Sequence, residues 1–492
     1  MEITLDPSSV ESYRQFCKIK RLPQYRIRGR VAWFPDEYAK LIGVNGTKHR
    51  NVSYDPPDWM FDYQKDISRI AINKRKYAVF ADCGLGKTHI MFEFARVALK
   101  QLRKRGVLIA SPLNVITQTL AECERWYGDT LQIEQVAAAD LAQWLLSCKG
   151  KIGITNYESM RPGLTQGQLG GLLLDESSML KSHYGKWGQA CLNLGKGLDW
   201  KLCLTGTPAP NDRIEYANHA VFLGQFSTVN AFLATFFVNR GQTDNRWELK
   251  PHALRPFYRA LSHWCIFLSD PSVYGWKDNC ENIPPINVHV HNVPMTDQQR
   301  TIVHEVTGEL FANRMGGITQ RGSLGQVGKG FYKGQEVDTL KPEFIRQLVG
   351  EWSGSESTLV WCLYNAEQRS IERVLPNAES ITGATPYEKR MAIIDRFKRG
   401  ETRTLISKPR ILGFGLNLQI ATRQVFSGLQ DSYESYYQAV KRSNRYGSTK
   451  PLNVHIPVTD IEEPMVQNVL RKASRVAADT AEQELLFREF SQ

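Results

Sequence analysis

The sequence predicts an α/β chain with two parallel-sheet lobes in tandem, and three observations carry that expectation. From Pro56-Pro57 onward, short apolar runs alternate with helix-prone stretches, the pattern of parallel strands joined by crossover helices. The alternation stops between residues 225 and 285, where aromatic, helix-like sequence takes over, and then resumes to about residue 460. Finally, Ala81-Asp82-Cys83-Gly84-Leu85-Gly86-Lys87-Thr88 lies between an apolar run and a helix-prone run. That is strand, glycine turn, helix.

Taken in order, residues 1–55 form an N-terminal basic and aromatic module. Arg14, Lys18, Lys20, Arg21, Arg26, Arg28 and Arg30 occur there without an intervening acid, and Tyr13, Phe16, Tyr25, Trp33 and Phe34 lie among or beside them. Such a mixture suits a surface that tracks a nucleic-acid backbone. It equally suits a solvated face on a small module whose aromatics are core. Residues 56–224 are the first lobe, with strands expected at Tyr77–Phe80, Val107–Ala110, Ile152–Thr155, Leu172–Leu174 and Leu202–Leu204. Residues 225–285, ending at Pro284-Pro285, are expected to bridge to the second lobe. That lobe, residues 286–460, should hold strands at Leu359–Cys362, Thr404–Ile406, Gln424–Phe426 and Val454–Pro457. Within it, a glycine-rich basic stretch at 313–335 reads either as a mobile loop on nucleic acid or as a plain surface loop. Residues 461–492 read as a charged C-terminal helix packing on the second lobe.

The bulk properties exclude several classes. With 42% hydrophobic and 23% charged residues, the 492-residue chain is an ordinary globular protein long enough for two or three cores. No apolar run approaches the roughly 18 residues of a membrane helix, and the acidic N-terminus has no signal-peptide pattern, so a cytoplasmic protein is expected. The nine cysteines are scattered without a C-x-x-C pair, which reads as reduced thiols rather than a zinc site or a disulfide framework. A formal net charge of +12 favours a polyanionic partner without separating DNA, RNA and acidic protein. His289 and His291 would share a strand face, which is best read as a surface strand.

The glycine turn has a phosphate-binding logic. Gly84 and Gly86 let the backbone approach a phosphate chain closely, Leu85 lies between them, and the helix start supplies unpaired N–H groups. Lys87 would reach the β- and γ-phosphates of a nucleotide, and the Thr88 hydroxyl would ligate Mg²⁺. Ala81 stands where the usual pattern has its first glycine. Leu172-Leu173-Leu174-Asp175-Glu176 is an apolar strand ending in two carboxylates, a rigid place to hold Asp175 toward Mg²⁺ and Glu176 toward an attacking water. The next strand runs into Thr205-Gly206-Thr207-Pro208, where Thr205 and Thr207 are placed to sense the γ-phosphate state and couple it onward.

Together, Gln64, the phosphate loop, Ser111-Pro112, Thr155-Asn156-Tyr157-Glu158, Asp175-Glu176-Ser177-Ser178 and Thr205-Gly206-Thr207-Pro208 resemble the first-lobe motifs of superfamily-two helicases. They are most similar to the Swi/Snf-related branch, in a compact bacterial or phage form. Gly383 with Arg390 and Phe397, the run Gly413 to Leu418, and the run Gln438 to Gly447 resemble that branch's later motifs. The resemblance spans roughly residues 60 to 475 and is specific because many weak motifs recur in order. It implies two RecA-like lobes with ATP in a cleft between them. It also implies an adenine-reading role for Gln64, nucleotide contacts at Gly415 and Gln438, arginines at Arg442 and Arg445 that act across the cleft, and nucleic-acid contacts at Ser111, Pro112 and Thr155. From charge alone, Arg26 and Arg28 join that last set. Asp-Glu-Ser-Ser replaces the commoner Asp-Glu-Ala-His, so the coupling role of that histidine has no matching residue. Lys441 stands where the branch often has glycine.

The expected activity is that of an ATP- and Mg²⁺-dependent motor tracking along duplex DNA. A strand-separating helicase on DNA or RNA, and an ATP-gated clamp without processive movement, are the alternatives. With no nuclease, methyltransferase or zinc-ribbon signature in the chain, cutting or modification would fall to partner proteins.

Overall fold

The computed structural model describes residues 1–491 apart from 23–24, 35–37, 45–51, 181–184, 242–246, 278–282, 314–316, 353–355, 413–415, 431 and 446. The chain divides into two units, Met1–Asp278 with Asp479–Gln492, and Asn279–Ala478.

The first unit opens with three short antiparallel strands, β1 (Glu2–Thr4), β2 (Arg26–Arg28) and β3 (Val31–Trp33), with β3 central. The helix Val10–Ile19 is capped by the Ser9 side chain on the Ser12 N–H. Its Ile19, with Leu22, Phe34, Tyr38 and Ile42, makes a small core. Phe34 and Tyr38 are therefore packing residues, while Tyr13 stays exposed and the seven basic side chains from Arg14 to Arg30 point to solvent.

The main sheet of this unit uses β4 (Lys76–Ala81), β5 (Gly106–Ser111), β6 (Glu134–Gln135), β7 (Ile152–Asn156), β8 (Leu169–Asp175) and β9 (Trp200–Leu204). After a hairpin of β10 (Phe237–Asn239) and β11 (Trp247–Leu249), the strand β12 (Cys265–Leu268) completes it. The order is β12-β4-β9-β8-β5-β7-β6, and every pairing is parallel. All strand carboxyl ends consequently face one edge. β8 is buried along its whole length, which its run of leucines dictates.

The segment expected to bridge the lobes is instead largely part of this first unit. Phe226, Phe232, Phe236, Phe257 and Trp264 belong to its core, and Cys265 to Leu268 pair with Ala78 to Ala81. The reason is physical: a four-residue apolar strand set among aromatic helices carries no periodicity of its own.

The second unit contains β13 (Ile286–Asn292), a hairpin of β14 (Phe331–Tyr332) and β15 (Gln335–Glu336), then β16 (Ser357–Trp361), β17 (Glu379–Ser380), β18 (Thr404–Ser407), β19 (Ala421–Phe426) and β20 (Leu452–Val458). Its main sheet is again all parallel, in the order β13-β20-β19-β16-β18-β17. His289 and His291 do lie on the outermost strand of this sheet, stacked on His455 of β20.

Two further expectations are corrected. The glycine-rich stretch is a helix over Gly317–Gly328 followed by the small hairpin, not a loop, though Arg314 and Gly316 lie outside the described residues. Its Lys329 is buried: Nζ lies 2.7 Å from Glu462 Oε1, while Lys341 holds the other carboxylate oxygen. Burial alone would raise the Glu462 carboxyl, but the two ammonium groups outweigh it and hold it at about 2. Glu462 also holds Lys329 charged against its burial, whereas burial pulls Lys341 down. Gly328 is glycine for space, since a Cβ there would come 2.6 Å from Glu462 Cδ. The C-terminal helix, Glu463–Ser491, packs only in part on the second unit. Val466 and Val469 enter that unit's core, but Leu486 and Phe487 enter the core of the first.

Removing the shared anion should be costly. Glu462→Ala leaves two buried ammonium groups uncompensated and should destabilise the second unit by about 3–5 kcal/mol, read by denaturant unfolding. A loss under about 1 kcal/mol would mean that the cluster is solvated.

Candidate active site

The phosphate-loop sequence folds at the carboxyl end of β4. Ala81 closes that strand, paired with Leu268, so its Cβ is tolerated in extended backbone. Gly84 (φ 91°) and Gly86 (φ 72°) take left-handed backbone, and Gly86 caps the helix Lys87–Leu102. No side chain caps that helix's first turn and no acid stands in it, which leaves a positive N-terminus facing the loop. Lys87 Nζ donates to the carbonyls of Ala81 (2.7 Å) and Asp82 (3.1 Å). Thr88 follows, half-buried.

Gln64 sits beneath this loop, 3% exposed. Its Nε2 donates to Leu85 O (3.3 Å), its Oε1 accepts from Phe61 N (3.1 Å), and a Cβ on Gly86 would come 2.1 Å from Nε2. Both ends of the amide are thus engaged with the protein's own backbone.

Asp175 ends β8. Its Oδ2 accepts from Ser111 Oγ (2.9 Å), its Oδ1 accepts from Glu176 N (3.1 Å), and its carbonyl accepts from Tyr157 OH (2.6 Å). Burial pushes this carboxyl up, while the Ser111 hydroxyl and the charge of Lys87 pull it back toward ionisation. Glu176 has φ 49°, left-handed backbone that a non-glycine residue holds at a cost of about 1–3 kcal/mol. Its Oε2 accepts from Thr205 Oγ1 (3.2 Å), and Thr207 N donates to the same hydroxyl (3.1 Å). A Cβ at Gly206 would lie 3.7 Å from Lys87 Nζ, so the threonine turn reaches the lysine. One edge of one sheet therefore gathers a cation, an open helix start, two carboxylates and a hydroxyl relay.

The later motifs belong to the second unit. Gln438 is half-buried in the helix Tyr433–Val440, and Arg442 and Arg445 stand in the turns that follow it. Those turns are braced by Gln424 Nε2 on Ser443 Oγ (2.8 Å), Asn444 Nδ2 on Pro284 O (2.7 Å) and Arg445 N on Ser448 Oγ (3.2 Å). Gly415 lies outside the described residues.

Three expected nucleic-acid contacts are not available as such. Ser111 and Thr155 are fully buried, the first donating to Asp175 and the second to Val136 O (2.9 Å), and Pro112 is buried at the start of a helix. In a strand covered on both faces, sequence does not say which way a hydroxyl turns. Arg26 and Arg28, by contrast, are exposed on the edge strand β2, with Ile27 turned inward between them. Tyr157 and His219 are additions. His219 Nε2 lies 3.0 Å from Ser177 Oγ, and no local signal links residues 42 apart in sequence.

Among the described residues no cluster of three or more His, Cys, Asp or Glu is arranged to hold a metal by itself, and no helix is long and apolar enough to cross a membrane. A magnesium ion would fit only as part of a nucleotide site, where phosphate oxygens would complete a set to which Thr88 and Asp175 could contribute.

A family model described as the SNF2-related domain matches residues 31–331, and one described as the helicase conserved C-terminal domain matches residues 340–447. No curated protein matches the chain. Among solved structures, the Sulfolobus solfataricus SWI2/SNF2 ATPase core in complex with dsDNA is 19% identical, covering 89% of this chain and 97% of that one, with a TM-score of 0.40. The Pyrococcus furiosus Hef helicase domain is 13% identical, covering 83% and 98%, with a TM-score of 0.48.

Proposed function

This chain belongs to the SNF2-related family of superfamily-two helicase ATPases, with two RecA-like lobes, and from that premise we propose that it is a double-stranded DNA translocase driven by ATP hydrolysis. The observation that carries the chemical half of this reading is the convergence of Lys87, Asp175, Glu176 and Thr205 at one sheet edge.

In this reading the loop from Gly84 to Thr88 cradles the phosphates, with Lys87 exchanging its two carbonyl partners for phosphate oxygens. Thr88 and Asp175 hold magnesium, which supplies charge neutralisation on the phosphates when bound. Glu176 accepts a proton from the attacking water, its carboxylate oriented by Thr205. Arg442 and Arg445 are the cations assigned to the charge that spreads in the transition state, and Gly415 and Gln438 are assigned to nucleotide contact. The exposed basic residues of the N-terminal module, Arg26 and Arg28 among them, supply part of the grip on the DNA backbone.

Two variants separate binding from chemistry. Lys87→Ala should weaken ATP affinity and abolish turnover. Glu176→Gln should retain ATP yet lose about 10²–10⁴-fold in rate, the usual contribution of a positioned base. Ordinary hydrolysis by either variant would remove the site assignment. Movement is tested by ATP-dependent displacement of a triplex-forming strand from duplex DNA without unwinding of a fork. Fork unwinding would instead make the protein a helicase, and ATP-dependent retention without displacement would make it a clamp.

For the N-terminal module, neutralising Lys18, Lys20, Arg26 and Arg28 should flatten the salt dependence of DNA binding by about 0.9 in log–log slope per lost phosphate contact. ATPase at saturating DNA should survive. An unchanged slope would make the module structural.

A further inference from the structure

We propose that His219 is a positioning residue for ATP hydrolysis, holding Glu176 in place through Ser177; this rests on the reading of Glu176 as the base. The imidazole is fully buried on the short helix Tyr216–Phe222, which follows the threonine turn in the chain and lies 42 residues beyond Ser177. Its Nε2 lies 3.0 Å from Ser177 Oγ, and Ser177 is the residue that follows Glu176. The ring also stands edge-on to Phe80, 5.2 Å between centroids, one residue before the end of the phosphate-loop strand. One side chain thus touches the strand that carries the phosphate loop and the turn that carries the carboxylate.

The helix beneath it is fixed to the same elements. Lys201 Nζ, from β9, donates to Phe222 O at 2.7 Å, and Asn218 Nδ2 donates to Leu180 O in the turn after Ser178. Glu176 sits in left-handed backbone, and such backbone persists only where its surroundings over-determine it. Tyr157 holds the residue before it through the Asp175 carbonyl, and His219 holds the residue after it.

A satisfied core histidine is the plainer account, and the structure argues against it. His219 Nδ1 is buried with no hydrogen-bond partner among the described residues, so the ring is a poor packing choice where phenylalanine would fill the space. What only the imidazole supplies is the bond to Ser177. In the sequence, Asp-Glu-Ser-Ser lacks the usual histidine; a histidine from a later helix reaches that turn in space.

The test uses the whole 492-residue chain and steady-state ATP hydrolysis with saturating duplex DNA. His219→Phe and Ser177→Ala should each lower kcat about tenfold with KM for ATP within about twofold of the parent, and the double variant should lose no more than the worse single one. His219→Gln should recover most of the rate, because its amide reaches the place of Nε2. Affinity for a non-hydrolysable ATP analogue should be unchanged. Losses that multiply, a Gln variant no better than Phe, or a loss confined to KM or analogue affinity would overturn the proposal. Should His219→Phe not fold, Ser177→Ala decides alone, and full kcat in that variant overturns the inference. Glu176→Gln remains inactive in every one of these outcomes if the site itself is assigned correctly, so the two failures are distinguishable.

Discussion

Asp175 ends a strand that is buried from Leu169 onward, and the rest of the site follows from the cost of placing a carboxylate there. Burial pushes it toward the protonated form, which holds a cation poorly. The Ser111 hydroxyl at the end of β5 and the charge of Lys87, at the helix start that follows β4, oppose that burial from the same sheet edge. The parallel topology is what makes this possible, because it brings the carboxyl ends of β4, β5, β8 and β9 together. A nucleotide with its metal would replace part of this internal compensation. Ionic partners within the protein therefore prefigure the ligand.

Glycine serves two different ends in this chain. At Gly86 it gives left-handed backbone and room for the Gln64 amide, which is how a phosphate loop is shaped from below. At Gly328 it gives room for a buried carboxylate shared by two lysines. A composition rich in glycine and lysine looks like a mobile basic loop in sequence. Here the same composition builds a dense ionic core between the helix Gly317–Gly328 and the start of the C-terminal helix.

Much of the site was legible because its parts are local. The glycine turn, the acidic strand end and the threonine turn each declare themselves within a few residues, and their placement at strand ends follows from the α/β alternation. Side-chain direction was not legible: Ser111 and Thr155 lie on strands covered on both faces, so no polar alternation marks where their hydroxyls turn. Nor was Gln64's engagement with Leu85, since the residue type suits a base edge and a backbone carbonyl equally. The fold was misread where tertiary packing overrides pattern. The four residues of β12 have no period to show, and the C-terminal helix changes unit partway along a continuous pattern.

Coupling of the ATP site to DNA is the central claim, and steady-state ATPase against a panel of nucleic acids tests it most directly. The 492-residue chain should turn over slowly alone, severalfold faster with linear duplex DNA, and less so with single-stranded DNA or RNA. A rate indifferent to every nucleic acid would contradict the account.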